Sequence, residues 1–162
     1  MAIPVNLQVS PLTPCVLYVD DEASNLQAFM AAFRKNFKVL LANSLQEAWE
    51  LLGKHDVHIV MADQRMPGTP GTELLSLVRD RYPRIRRMLV SGYSDIQAVI
   101  DAINDGGVMR YISKPWQPEQ VLTAVQSAFT ELRSERDKDE HTARLTEANS
   151  QLEFALRQAL LS

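Results

Sequence analysis

Polar side chains that could bind a divalent cation and a phosphoryl group follow four apolar runs of the chain. Asp20 and Asp21 follow the first run, Asp63 the second, Ser91 the third and Lys114 the fourth. The carboxyl ends of parallel strands in an open α/β sheet line one crevice. We therefore expect three carboxylates, a hydroxyl and an ammonium to converge on one site. Such a set suits a hard metal ion and phosphoryl transfer.

Apolar runs that alternate with helical patterns would position these side chains. Strict alternation of strand and helix implies right-handed crossovers and a parallel sheet covered on both faces. The sequence therefore predicts an α/β, doubly wound fold. The pattern predicts strands at 15–19, 37–41, 57–62, 85–90 and 109–112, and helices at 23–35, at 44–52, from near 71, at 94–104 and after Pro118.

Length and composition indicate one ordinary domain with an addition at each end. The chain has 162 residues, of which 46% are hydrophobic and 23% charged. Residues 1–14 contain three prolines and predict an irregular leader, because proline fixes φ and cannot donate a backbone hydrogen bond. The ordered domain should begin at Cys15.

Charge, cysteine content and hydropathy exclude several classes of protein. A net charge of -3 and a sequence pI near 5.6 give no basic footprint, so we expect no direct nucleic-acid binding by this segment. The single cysteine rules out an internal disulfide framework. No apolar stretch approaches the length of about 18 residues that a membrane span needs, and the N-terminus lacks a signal pattern. We therefore expect a cytoplasmic protein.

The polar signals together resemble those of the receiver domains of two-component response regulators, over roughly residues 15–132. No single signal is specific, but all occur in order at predicted strand ends. The resemblance implies a flavodoxin-like sheet of order 2-1-3-4-5. The matching residues are Asp20-Asp21, the run Asp63-x-x-Met66-Pro67-x-x-x-Gly71, Ser91-Gly92, Tyr111 and Lys114-Pro115.

The resemblance implies a phosphoryl acceptor and a Mg²⁺ site. Asp63 would be the nucleophile that takes the phosphoryl group from a sensor histidine kinase or a phosphotransfer protein. Asp20, Asp21 and Asp63 would hold Mg²⁺ together with the backbone carbonyl of Arg65. Without the metal, three neighbouring carboxylates should repel one another and raise at least one pKa.

The resemblance also implies residues that sense the added charge. Lys114 and Ser91 would contact phosphoryl oxygens, and the Lys114–Pro115 peptide bond would be cis. Tyr111 would be the second switch residue, moving inward as Ser91 is drawn toward the phosphate. The surface formed by the fourth helix, fifth strand and fifth helix would then change.

Two other functions remain open at this point. A Mg²⁺-dependent phosphohydrolase on a similar scaffold would also use an aspartyl nucleophile, but the haloacid-dehalogenase type carries Asp-x-Asp after its first strand, whereas Asp63 follows the third. A receiver-like interaction module that is never phosphorylated would not need the complete set of site residues. Each signal alone also has a simple structural explanation, such as a helix cap or a turn.

Residues 133–162 continue the last helical pattern with mostly polar and charged residues. Apolar residues recur there at spacings of 3, 4, 3 and 4, which is a heptad seam. The seam predicts a short coiled coil and a homodimer, although a solvated helical tail is the alternative. Its members are Leu145, Ala148, Leu152, Ala155 and Ala159.

The extension resembles signalling helices that join receivers to effectors. The local sequence around Asp63, Ser91 and Lys114 resembles that of receivers that precede cyclic-di-GMP phosphodiesterase or AAA-type activator modules. These 162 residues contain no such module. The chain is then either part of a longer regulator or a receiver that acts through a partner protein.

Overall fold

The computed structural model describes residues 13–161, which form an alternating α/β chain. Most of the predicted leader, residues 1–12, lies outside the described residues. The strands are β1 (Cys15–Val19), β2 (Lys38–Ala42), β3 (Ile59–Asp63), β4 (Arg86–Ser91) and β5 (Arg110–Ser113). The helices are α1 (Ala23–Phe33), α2 (Leu45–Lys54), α3 (Gly71–Arg81), α4 (Ile96–Asn104) and α5 (Pro118–Leu161).

The five strands form one parallel sheet in the order β2-β1-β3-β4-β5. The predicted doubly wound fold and its strand order are therefore confirmed. Asp63 at the end of β3 lies in register with Val90, one residue before Ser91, and Ser91 pairs with Ser113, one residue before Lys114. Three of the predicted site residues thus lie at the same edge of the sheet.

Alternating strand residues divide the core between the two faces of the sheet. Leu17 and Val60 face a layer that includes residues of α2, α3 and α4. Tyr18 and Met61 face the other layer, which includes residues of α1 and the first part of α5. Side chains on both faces of β1 and β3 are therefore buried, which explains why these strands appear in the sequence as continuous apolar runs.

Several element boundaries differ from the sequence prediction by one or two residues, including the end of α2 and the start of β3. The helix predicted at 44–52 continues through Gly53 to Lys54 and ends where His55 adopts an extended backbone. The strand predicted from Val57 begins at Ile59. These two differences lie at the edge of the sheet opposite Asp63, so they do not alter the site.

The chain divides into two compact units, one ending at Phe129 and the other beginning at Thr130. The second unit is the remainder of α5. Large apolar side chains are exposed in it, including Leu145 and Leu152. None of the helices in residues 13–161 combines the length and the apolar character that a membrane crossing requires.

Candidate functional site

Asp63 ends the central strand β3 and is almost completely buried. Its Oδ2 accepts a hydrogen bond from the Arg65 backbone N–H at 3.0 Å. Its Oδ1 forms an ion pair with the ammonium of Lys114. The strand holds the backbone and these two partners hold the side chain, so the carboxylate is fixed before any ligand binds.

Gly71 begins α3 directly against the backbone of Asp63. The Gly71 N–H donates to the Gln64 carbonyl at 3.1 Å, and the Thr72 N–H donates to Gln64 Oε1 at 2.9 Å. A Cβ at position 71 would overlap the Asp63 carbonyl oxygen and lie 2.9 Å from Leu89 Cδ1. Only glycine allows this close approach, which explains the fixed spacing between Asp63 and Gly71.

Asp20 and Asp21 follow β1 in different environments. Asp20 is fully buried, whereas Asp21 is exposed. The Tyr18 hydroxyl and Asn25 Nδ2 donate to Asp20 Oδ2 at 3.0 and 3.1 Å, and the Glu22 N–H donates to Oδ1 at 3.0 Å. Burial and the Asp20 charge raise the pKa of Tyr18, so the phenol stays protonated and remains a donor.

The three carboxylates meet as the sequence predicts. One oxygen from each of Asp20, Asp21 and Asp63 lies within 4.8 Å of the other two. Carboxylate oxygens are hard ligands of the kind that Mg²⁺ prefers, and the exposed Asp21 leaves room for the waters that Mg²⁺ retains. The donor set therefore fits Mg²⁺. The role of the Arg65 carbonyl stays a prediction.

The pKa of Asp63 is raised, in the direction that the sequence predicts. Burial is the largest cause, and the charge of Asp20 adds a smaller contribution. The hydrogen bond and charge of Lys114 act in the opposite direction. Desolvation of Asp63, more than repulsion among carboxylates, thus disfavours the charged form of this side chain.

The backbone carbonyl of Ser91 links Lys114 and Tyr111. This carbonyl accepts hydrogen bonds from the Lys114 N–H at 2.9 Å and from the Tyr111 hydroxyl at 3.0 Å. The Lys114–Pro115 peptide bond is cis, as the resemblance implies. Tyr111 is half-buried and already contacts Ser91, so the inward movement of Tyr111 on phosphorylation stays a prediction.

Asp95 and the side chain of Arg65 form a contact that sequence reasoning missed. Arg65 Nε donates to Asp95 Oδ2 at 3.1 Å, and Arg65 Nη2 donates to Ser94 Oγ at 2.7 Å. The Ser91 hydroxyl lies 3.0 Å from the same Asp95 oxygen. The hydrogen bond from Arg65 is the largest cause that holds the pKa of Asp95 below its usual value, and Ser91 and Lys114 also contribute. Asp95 is therefore a carboxylate at neutral pH.

Curated relatives of this chain are transcriptional regulators. The hydrogenase transcriptional regulatory protein HoxA of Cupriavidus necator is 41% identical over 113 residues, which cover 70% of this chain and 23% of that protein. HoxA of Bradyrhizobium diazoefficiens is 36% identical over 124 residues, which cover 76% of this chain and 26% of that protein. The chain thus spans about a quarter of the length of these relatives.

A solved structure and a family model agree with the fold. The signal receiver domain of an HD domain-containing protein from Pseudomonas fluorescens Pf-5 is 29% identical, with a TM-score of 0.71, and the match covers 75% of this chain and 98% of that one. The family model for the response regulator receiver domain matches residues 16–126. The chain therefore belongs to the response regulator receiver domain family.

Proposed function

We propose that this receiver is phosphorylated on Asp63, with Mg²⁺, by a sensor histidine kinase or a phosphotransfer protein in the cytoplasm. The observation that carries the proposal is the buried Asp63 carboxylate, which contacts Lys114 and is grouped with Asp20 and Asp21. Phosphorylation would switch contacts with a second copy or with an effector. The receiver would act on no external substrate beyond its phosphodonor.

The residues of the site divide the chemistry among them. An oxygen of Asp63 attacks phosphorus as the bond from phosphorus to the donor histidine breaks. The Lys114 ammonium, which contacts Asp63, would stabilise charge on the phosphoryl oxygens. Mg²⁺ held by Asp20, Asp21, Asp63 and the Arg65 carbonyl would neutralise further charge at the same oxygens.

The relatives suggest what the switch controls. HoxA is a transcriptional regulatory protein, and the Pseudomonas fluorescens receiver belongs to an HD domain-containing protein. Each kind of name implies a receiver coupled to another module. We propose that this receiver likewise controls an effector, in the same polypeptide or in a partner, and that direct contact with nucleic acid is left to that effector.

Incubation with acetyl phosphate and Mg²⁺ should add one phosphoryl group to the protein, because a small donor needs only the acceptor site. Intact-mass measurement should show a single adduct that is stable in acid, labile in base and absent when the metal is chelated. Continuous phosphate release without an adduct would favour the phosphohydrolase. If neither an adduct nor phosphate release is observed, the result would favour a receiver-like interaction module that is never phosphorylated.

We further propose that residues 133–162 form a short parallel coiled coil that makes the protein a homodimer. The exposure of Leu145 and Leu152 on the second unit supports this assignment. Replacing both leucines with aspartate should shift the protein toward monomer in light scattering, because each charge would enter the seam. The seam is short and rich in alanine, so we expect micromolar affinity, about -8 kcal/mol.

A matched control places the same charges outside the seam of the same helix. Ala143→Asp with Ser150→Asp introduces two aspartates seven residues apart at positions that face away from a parallel partner. This variant should dimerise like the wild type. A dimer that survives Leu145→Asp with Leu152→Asp would place the interface on the receiver, and a wild-type monomer at high concentration would leave the tail a solvated helix.

A further inference from the structure

The hydroxyl of Ser91 has two acceptors within hydrogen-bond distance. Ser91 Oγ lies 3.0 Å from Asp95 Oδ2 and 3.2 Å from the Gly92 carbonyl oxygen. A serine hydroxyl has one proton to donate. A carboxylate is a stronger acceptor than a carbonyl, so Asp95 is the preferred partner of Ser91.

Asp95 occupies a position where aspartate normally serves its own helix. It is the last residue of a short 3₁₀ turn at Tyr93–Asp95 and the N-cap of α4. An N-cap aspartate usually accepts hydrogen bonds from the first helical amides, but in the described chain the Asp95 side chain caps none of the amides of α4. Its carboxylate instead faces Ser91 and the guanidinium of Arg65.

Arg65 fixes this carboxylate from the loop that follows the phosphoryl acceptor. Its Nε and Nη2 reach both oxygens of Asp95, at 3.1 and 3.4 Å, and its Nη2 also reaches Ser94 Oγ. Because the Arg65 backbone N–H contacts Asp63 Oδ2, one residue connects the acceptor site to the start of α4.

We propose that Asp95 is a positioning residue that holds the Ser91 hydroxyl in the unphosphorylated protein and competes with the phosphoryl group on Asp63 for its single proton. The inference rests on the proposed phosphorylation of Asp63. When Ser91 turns to a phosphoryl oxygen, Asp95 loses this hydrogen bond and its carboxylate keeps its contacts with Arg65. The change at Ser91 is thereby passed to α4.

The competition predicts that loss of the Asp95 acceptor favours the phosphorylated arrangement. Asp95→Ala should lower the concentration of beryllofluoride, a phosphoryl mimic, that half-saturates the protein with Mg²⁺ by about threefold to tenfold, the size expected for the net contribution of one hydrogen bond. Without beryllofluoride, the amide shifts of Ser91 and Tyr111 should move toward those of the saturated wild type.

A second carboxylate on α4 supplies the matched control. Asp101 accepts a hydrogen bond from Gln97 at 3.0 Å, and neither residue contacts the site in the described chain. Asp101→Ala removes one charge and one hydrogen bond from the same helix. It should leave both the half-saturating concentration and the shifts of Ser91 and Tyr111 unchanged.

A double variant separates the proposed role from a general effect on α4. In a Ser91→Ala background, Asp95→Ala should change beryllofluoride affinity by less than about twofold, because no hydroxyl remains to be released. Should Asp95→Ala fold poorly, Asp95→Ser keeps a residue that can cap the helix and should show the same dependence on Ser91. An equal effect of the Asp95 substitution in both backgrounds would overturn the inference.

Loss of the proposed phosphorylation site and loss of the competition would give different experimental results. A wild-type protein that binds no beryllofluoride would overturn both the proposed function and the competition. Wild-type binding with an unchanged affinity in Asp95→Ala would overturn the competition alone. Shifts that move away from those of the saturated wild type would likewise contradict it.

Discussion

Asp63→Asn should abolish incorporation of a phosphoryl group from acetyl phosphate while leaving the fold intact. The amide lacks the carboxylate oxygen that attacks phosphorus. The neutral side chain still fits the end of β3, where Asp63 is buried. Intact-mass measurement with Mg²⁺ should show no adduct, and an adduct that survives this substitution would remove Asp63 as the acceptor.

The same variant should unfold at a higher temperature than the wild type when Mg²⁺ is chelated. Burial raises the pKa of Asp63, so this group favours the folded state at low pH and its contribution is lost as the pH rises through the folded pKa. At neutral pH the buried charge is therefore unfavourable, despite Lys114. Removing it should add about 1 kcal/mol, or roughly 2–8 °C in a thermal melt.

Asp56→Asn is the control for both measurements. Asp56 precedes β3 at the end opposite Asp63, and 70% of its side chain is exposed. The protein should still accept one phosphoryl group, and its melting temperature should change little. A stabilisation equal to that of Asp63→Asn would show that lost net charge, and not relief of desolvation, is responsible.

The sequence predicts the fold and the carboxylate cluster because both depend on local signals repeated at strand ends. Buried strands read as apolar runs, and a parallel sheet brings their carboxyl ends together whatever the exact strand boundaries. Asp20, Asp21 and Asp63 therefore converge even though β3 begins two residues later than predicted. The strand order came from the resemblance, since alternation alone is compatible with several orders.

The partners of these carboxylates could not be predicted because they depend on geometry between elements. Tyr18 reads as a core aromatic, and only the structure shows its hydroxyl turned to Asp20. Arg65 and Asp95 lie thirty residues apart in the segments that follow β3 and β4, and sequence periodicity does not relate such distant side chains. The helix predicted at 94–104 would include Asp95 in its first turn, whereas the structure places Asp95 before α4 with its carboxylate directed to Arg65 and Ser91.

Lys114→Ala should destabilise the metal-free protein, and adding Asp63→Asn should restore most of the loss. The ammonium contacts Asp63 Oδ1, and Lys114 is the main group that offsets desolvation of this carboxylate. The Lys114 side chain is 37% exposed, so we expect a loss of about 1–3 kcal/mol, below the roughly 3–5 kcal/mol for breaking a fully buried pair.

Urea unfolding of the wild type, both single variants and the double variant in a chelator measures this coupling. Additive effects would show that Lys114 does not stabilise the protein through Asp63. Lys35→Ala removes an exposed lysine and should change the free energy of unfolding little.

Besides stabilising the protein, Lys114 should be needed for the conformational response to phosphorylation. The Lys114→Ala and Ser91→Ala variants should each form less phosphoryl adduct than the wild type. In the phosphorylated fraction of each variant, the amide shifts around Tyr111 and α4 should stay close to those of the unphosphorylated protein. Each variant lacks a group that binds the added oxygens, so the charge no longer biases the two arrangements. Shifts like those of the phosphorylated wild type in either variant would mean that the signal reaches Tyr111 by another route.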